Sequence, residues 1–196
     1  ATYVKAHDGA RVVSKAIVVA TGVAADGNRE VLGLAVGDSE DKAFWTAFLR
    51  SLRARGLAGV RLVISDAHEG LRASIERVML GAAWQRCRVH FLRNVLAKVP
   101  RGSAEMVAAA IRTIFAQPDA AAVADQLDSI AGKLGRQFPA VEAMLREAGP
   151  DICAFATFPV AHWKKIWSTN PLERVNKEIK RRTNVVGIFP NEAAVL

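Results

Sequence analysis

Two acidic side chains occupy positions at which metal ions could be bound. Asp66 follows the short apolar run at 60–65, and Leu71, Ile75 and Val78 after it have helical spacing. Ligands of open α/β sheets are held at the carboxyl ends of strands, so Asp66 is a candidate metal ligand. The alternative is that Asp66 caps the helix that follows.

Glu173 is the second acidic candidate. Asn170 as the N-cap, proline next and Glu173 third form a typical helix start, so Glu173 could serve only to cap the helix. The same helix face would carry Lys177 and either Lys180 or Arg181. A carboxylate beside several cations is what a metal-bound phosphodiester requires, and this favours a functional role for Glu173.

The segment around Glu173 is strongly basic. We predict that its cations contact the DNA backbone; the alternative is a solvated helix face. Trp163 and Trp167 could offer stacking surfaces, although core packing is the better prediction for both. The basic residues of this segment are Lys164, Lys165, Arg174, Lys177, Lys180, Arg181 and Arg182.

Cys87 and His90 form a Cys-x-x-His pair directly after a predicted strand. This spacing can bind zinc, but a four-ligand site finds no matching second pair in the chain. We therefore interpret Cys87 as a small buried residue and His90 as a polar group that borders a cleft. His68 is either a helix-start residue or a secondary group near Asp66.

Composition restricts the class of protein. The 196 residues suffice for one buried core with an inserted subdomain. A net charge of +8 favours a polyanionic partner, with nucleic acid as the first candidate. Neither a membrane-spanning run nor a signal peptide is visible, and two distant cysteines fit a reducing cytoplasm.

The pattern predicts a mixed α/β chain. Strands at 12–19 and 30–36 suggest an antiparallel meander, and the acidic stretch 38–41 begins a helix that stops at Gly56. A strand at 60–65, a helix, a strand at 84–89 and a basic amphipathic segment at 91–99 follow. Residues 103–158 have the alanine-rich pattern of helices, divided at 117–119 and at 138–139.

Taken together, several motifs closely resemble the Mutator-type transposases of bacterial insertion sequences. The order and spacing of the motifs carry this resemblance, which extends over nearly the whole chain. The motifs are Val-Leu-Gly at 31–33, Gly-Asp-Ser-Glu at 37–40, Val-Ile-Ser-Asp-Ala-His-Glu-Gly at 63–70, Cys-Arg-Val-His-Phe at 87–91, Ser-Thr-Asn-Pro-Leu-Glu-Arg at 168–174 and Asn-Lys-Glu-Ile-Lys-Arg-Arg-Thr at 176–183.

The resemblance implies a ribonuclease-H-like fold, in which a mixed sheet flanked by helices carries an Asp-Asp-Glu triad. On this basis residues 1–99 begin the core, 100–160 form an all-helical insertion and 161–196 return to the core. Asp66 matches the second aspartate, Glu173 the glutamate, and Cys87 with His90 the Cys-x-x-His element. The first aspartate would directly precede Ala1, so we expect the chain to be inactive alone. We also expect both ends to be truncated, since the first residues already have a strand pattern and 191–196 begins a helix that has no stop.

The implied activity is metal-dependent DNA cleavage and strand transfer at insertion-sequence ends. Two divalent ions, magnesium or alternatively manganese, would be held by the carboxylates. The partners would be terminal inverted repeats and target DNA. We expect the complete protein to self-associate and to act in the bacterial cytoplasm, at the nucleoid when it is bound to DNA. The alternatives are a non-catalytic DNA-binding or assembly domain and a ribonuclease-H-like nuclease.

Overall fold

Three antiparallel strands form the first part of the fold. In the computed structural model, which describes residues 1–196, these are β1 (Thr2–Asp8), β2 (Arg11–Val23) and β3 (Arg29–Gly37). Buried and exposed residues alternate along β1, as expected for a strand with one covered face. A short strand, β6 (Ile188–Phe189), pairs in parallel with β1 and makes the sheet mixed, in the order β3-β2-β1-β6. The predicted antiparallel meander is confirmed.

Three helices belong to the same compact unit as this sheet. They are α1 (Lys42–Ala54), α2 (Glu69–Val78) and α8 (Asn170–Val186). The Asp41 carboxylate accepts a hydrogen bond from Phe44 N at 2.8 Å, which confirms the predicted start of α1. Helix α8 lies against β1 and β2. We call this unit, which comprises Ala1–Arg61, His68–Ala82 and Thr169–Leu196, the first unit.

The second unit comprises Leu62–Ala67 and Ala83–Ser168. It contains the parallel strands β4 (Leu62–Ser65) and β5 (Ala83–Arg86), together with α3 (Arg88–Leu96). The helices α4 (Ala104–Ile114), α5 (Ala120–Gly135), α6 (Pro139–Ile152) and α7 (Val160–Ile166) follow. They confirm the predicted helices of 103–158 and the two breaks between them.

A large apolar core fills the second unit. Phe91, Ile111, Leu145 and Phe155 are completely buried in it, and Trp163 is 4% exposed. The aromatic rings of Phe155 and Trp163 meet edge to face at 5.0 Å. The prediction that Trp163 packs in a core is therefore confirmed, and Trp167 packs against the same core.

Two predicted boundaries were wrong. The strand predicted at 84–89 ends at Arg86, because the Phe91 N–H bonds to the Cys87 carbonyl at 2.9 Å and begins α3. The N-cap of α8 is Thr169 instead of Asn170, because the Glu173 N–H bonds to the Thr169 carbonyl at 2.9 Å. In both cases the first helical hydrogen bond forms earlier along the chain than the residue types suggested.

The predicted α/β class is confirmed as a mixed fold with a mixed sheet and helices. The more specific ribonuclease-H-like assignment and the segment boundaries 1–99, 100–160 and 161–196 stay predictions. No helix combines the length and the apolar character that crossing a membrane would require.

Candidate functional site

Asp66 lies directly after β4, at the carboxyl end of the parallel pair in the second unit. The Cys87 N–H donates to the Ser65 carbonyl at 2.7 Å, so the ends of β4 and β5 lie side by side. The Ser65 hydroxyl accepts a hydrogen bond from the Trp84 indole at 2.9 Å and donates to the Asp66 carbonyl at 2.8 Å. The backbone on which Asp66 is carried is thus held by a strand ladder and by side chains.

The Asp66 carboxylate does not cap α2. His68 is the N-cap residue, and its Nδ1 accepts a hydrogen bond from Leu71 N at 3.2 Å. Asp66 is exposed, and its side chain makes no hydrogen bond or ion pair with the protein. A carboxylate without a structural partner at a strand end is available to a ligand, whereas His68 has the helix-start role that the sequence allowed.

Cys87 and His90 lie together at the start of α3. The Cys87 thiol is buried and in no disulfide, and its sulfur lies within 4.8 Å of a ring nitrogen of His90. Cys87 is the N-cap residue but makes no side-chain capping bond. The other cysteine, Cys153, is a poor nucleophile because burial raises the pKa of its thiol to about 12.

Glu173 belongs to the first turn of α8 in the first unit. Together with Asn170, Arg174 and Lys177 it lines one open concavity of about 400 Å³. Of the cations predicted on the same face as Glu173, Lys177 lines this concavity, and Arg174 lies there with it. The Thr169 side chain makes no capping bond at this helix end.

The basic residues of α8 fall into two groups. Arg174, Lys177 and Lys180 are exposed and form no ion pair within the protein. Arg181 and Arg182 both bind the Glu178 carboxylate, at 2.7 and 2.8 Å. These two guanidinium groups lower the pKa of Glu178 to about 2, so Glu178 remains charged and holds both arginines at neutral pH.

The predicted site residues are therefore distributed over both units. Asp66, Cys87 and His90 belong to the second unit, whereas His68, Glu173 and the cations of α8 belong to the first. Sequence reasoning missed Gln85, whose side chain is completely buried in β5. It also missed the hydrogen bonds of Ser65, although Ser65 lies within the motif at 63–70. A polar residue within a predicted strand was the available signal for both.

Comparison with known proteins identifies the family. The family model described as "Transposase, Mutator family" matches residues 1–196. The chain is 47% identical over 196 residues to the transposase for insertion sequence element IS1081 of Mycobacterium tuberculosis, in a match that covers 100% of this chain and 47% of the relative.

More distant relatives carry similar names. The chain is 39% identical over 196 residues to the transposase for insertion sequence element ISRM5 of Rhizobium meliloti, in a match that covers 100% of this chain and 49% of the relative. It is 34% identical over 194 residues to the transposase for insertion sequence element IS256 in transposon Tn4001 of Staphylococcus aureus, in a match that covers 98% of this chain and 50% of the relative. The chain thus spans about half the length of the curated relatives it matches. With its family model matched over every residue, the chain belongs to the Mutator family of transposases.

Proposed function

We propose that this chain supplies part of the catalytic region of a DNA transposase that cleaves and joins DNA strands at the ends of an insertion sequence. The family match over residues 1–196 carries the proposal. The relatives named as insertion-sequence transposases support it. A ribonuclease-H-like arrangement of the sheet and helices is part of the same proposal.

DNA is the proposed partner, and α8 is its proposed contact. Arg174, Lys177 and Lys180 are exposed and unpaired, so each can bind a phosphate without first breaking an ion pair. The net charge of +8 favours the same partner over the length of the chain. We further propose that the complete protein self-associates in order to act on two element ends at the bacterial nucleoid.

Asp66 and Glu173 are the proposed metal ligands. Carboxylate oxygens are the ligands that magnesium prefers, and manganese accepts the same donors. The lack of any hydrogen bond or ion pair on the Asp66 side chain supports this role. Two divalent ions would activate water or a DNA 3′-hydroxyl and stabilise the leaving oxygen of an in-line displacement. Lys177 would offset the charge of the phosphate that is attacked, whereas Arg181 is already bound to Glu178.

The test compares acidic residues in a polypeptide that carries this segment at the length of the relatives. Asp66→Asn and Glu173→Gln should each abolish magnesium-dependent cleavage of DNA that contains the element ends, while DNA binding without metal is retained. Asp8→Asn and Glu147→Gln remove the same kind of charge from exposed sites elsewhere and should leave cleavage intact. If Asp66→Asn or Glu173→Gln cleaves at the normal rate, the assigned ligands are wrong.

A second candidate function is DNA binding or assembly without chemistry. The unpaired cations of α8 favour it, because neutralising phosphate needs no metal. Salt-sensitive binding with no magnesium-dependent cleavage by the unmodified polypeptide would establish this second function. A nuclease would differ from both, since it would cleave the strand without joining a 3′-hydroxyl to target DNA.

A further inference from the structure

Arg88 lies over an aromatic ring in the second unit. It is the first residue of α3, and its guanidinium carbon lies 3.6 Å from the centroid of the Trp167 ring. The same carbon lies 5.2 Å from the centroid of the Phe115 ring, directly after α4. A guanidinium stacked in this way keeps its N–H donors in one plane and loses little freedom when it binds a planar or tetrahedral anion.

No carboxylate is paired with this cation. The Arg88 side chain is half-buried and forms no ion pair or hydrogen bond with a protein acceptor. Burial lowers the pKa of Arg88 to about 10, so the group is still charged at neutral pH. The aromatic rings contact the guanidinium group but give its N–H donors no hydrogen-bond acceptor. Buried charges in proteins are normally paired, which indicates that an anion binds this edge.

A second cation is placed one helical turn before the same tryptophan. Lys164 on α7 precedes Trp167 by three residues, and Trp167 continues the helical backbone with φ −91° and ψ −6°. Residues three apart on a helix are neighbours, at about 5–6 Å between their Cβ atoms. Lys164 is exposed and forms no ion pair with the protein. Arg88 contacts Trp167 directly, and helical spacing places Lys164 near the same residue.

We propose that Arg88, Lys164 and Trp167 form a phosphate-binding site for the DNA backbone on the second unit, in addition to the cations of α8 on the first. Arg88 would bind a phosphate through two parallel N–H bonds, and Lys164 would neutralise the same phosphate or its neighbour. Trp167 would position Arg88 rather than stack on a base, because the arginine already covers a face of its ring. The inference rests on the proposed function only in taking DNA as the partner.

The experiment measures how the intact 196-residue chain binds a short duplex in EDTA, by fluorescence anisotropy over about 50 to 200 mM salt. Arg88→Gln should weaken binding roughly tenfold at the lower salt concentrations, since it removes charged hydrogen bonds. The slope of log K against log salt should fall by about 0.9 for each phosphate that is no longer neutralised. Lys164→Gln should lower the slope similarly, whereas Arg88→Lys should keep most of the slope and still bind more weakly.

The matched control is Arg136→Gln, which removes an exposed, unpaired arginine from the end of α5 in the same unit. Arg136→Gln should bind DNA with an affinity within about twofold of the parent's, because the loss of one exposed charge outside the site changes the overall attraction only slightly. Should Arg88→Gln lower the melting temperature but leave the salt slope unchanged, Arg88 only joins α3 to its neighbours and the inference fails. If Arg88→Gln does not fold, the other two variants still test the proposed phosphate site. The inference fails if Lys164→Gln leaves the salt dependence of DNA binding unchanged and Arg88→Lys leaves the affinity unchanged.

The same titration separates this inference from the proposed function. An unmodified chain that does not bind DNA at any salt concentration contradicts both. A chain that binds DNA with parental affinity and slope in every variant contradicts only the site around Trp167. Because EDTA is present throughout, loss of catalysis cannot imitate either result.

Discussion

Single polar residues decide which side chains are available for chemistry. His68 takes the capping position at the start of α2, and this leaves the Asp66 carboxylate without a structural role. Ser65 in turn ties the Asp66 backbone to the indole of Trp84. The roles of His68 and Asp66 differ because a helix start needs only one side-chain acceptor for its unpaired N–H groups. The His68 ring nitrogen supplies that acceptor, as a carboxylate otherwise would.

Gln85 provides the clearest test of stability at this scale. Its amide donates to the Ile166 carbonyl at 2.8 Å and accepts from the Phe155 N–H at 2.6 Å, and the residue is 0% exposed. Replacing it by leucine leaves two buried backbone groups without these partners. Gln85→Leu should lower the free energy of unfolding by about 2–5 kcal/mol in urea denaturation.

The matched control for Gln85 is Gln137→Leu, since Gln137 is exposed after α5. This substitution should change the free energy of unfolding by less than about 0.5 kcal/mol. Equal stability of the two variants would mean that the hydrogen bonds of Gln85 are replaced by others at no net loss.

At the level of the element, α8 carries two kinds of cation. Arg174, Lys177 and Lys180 are unpaired, whereas Glu178 holds Arg181 and Arg182. The pairs follow from spacing, because residues three and four apart meet on one helix face. We expect the unpaired residues to contribute most to phosphate binding, and Glu178 to limit the contribution of the arginines.

Glu178→Gln should therefore tighten DNA binding and steepen its salt dependence. The substitution frees both arginines, so the slope of log K against log salt should increase by up to about 2 in the anisotropy titration. Glu147→Gln removes a comparable charge from α6 without freeing an arginine and should have a smaller effect. Weaker DNA binding by Glu178→Gln would show that the ion pairs instead hold the arginines in the binding geometry.

The stability difference between Glu178→Gln and the parent should depend on pH. The pKa of Glu178 falls from 4.5 to about 2 in the folded protein, so its ion pairs stabilise the fold fully above pH 4.5. This stabilisation decreases as the pH falls from 4.5 through about 2. The melting temperature of Glu178→Gln should thus lie slightly below that of the parent at neutral pH and approach it at acid pH, because exposed pairs contribute little. A difference that grew on acidification would contradict this assignment.

At the scale of the whole molecule, apolar packing acts over short distances and electrostatic attraction over longer ones. The apolar core of the second unit depends on contacts between neighbouring side chains, whereas the net charge of +8 acts over about a Debye length. The summed surface charge should therefore set the long-range attraction of DNA, while single sites such as Arg88 add to the affinity through direct phosphate contacts.

We expect the intact chain to bind duplex DNA equally well in EDTA and in magnesium at matched ionic strength. Affinity should fall by at least about tenfold between roughly 50 and 200 mM salt, as in other proteins that neutralise several phosphates. The control is an uncharged competitor polymer, which should not displace the DNA. Binding that required magnesium and ignored salt would place the metal, rather than the cations, at the DNA contact.

The local pattern alone was sufficient for most elements. Apolar alternation and capping residues predicted the meander, the start of α1 and the breaks between α4, α5 and α6, because these depend on neighbours within a few residues. The motifs with Asp66, Cys87 and Glu173 also indicated the family, which the comparisons confirmed.

Tertiary structure decided which polar groups are paired. Lys15, within a strand predicted as apolar, is buried and binds Asp38 and Glu192, which lie far from it in sequence. Likewise the stack of Arg88 on Trp167 joins residues 79 positions apart along the chain. The sequence determined the elements and the family because both are encoded in local order, whereas ion pairs and stacking depend on chain segments that meet only after folding.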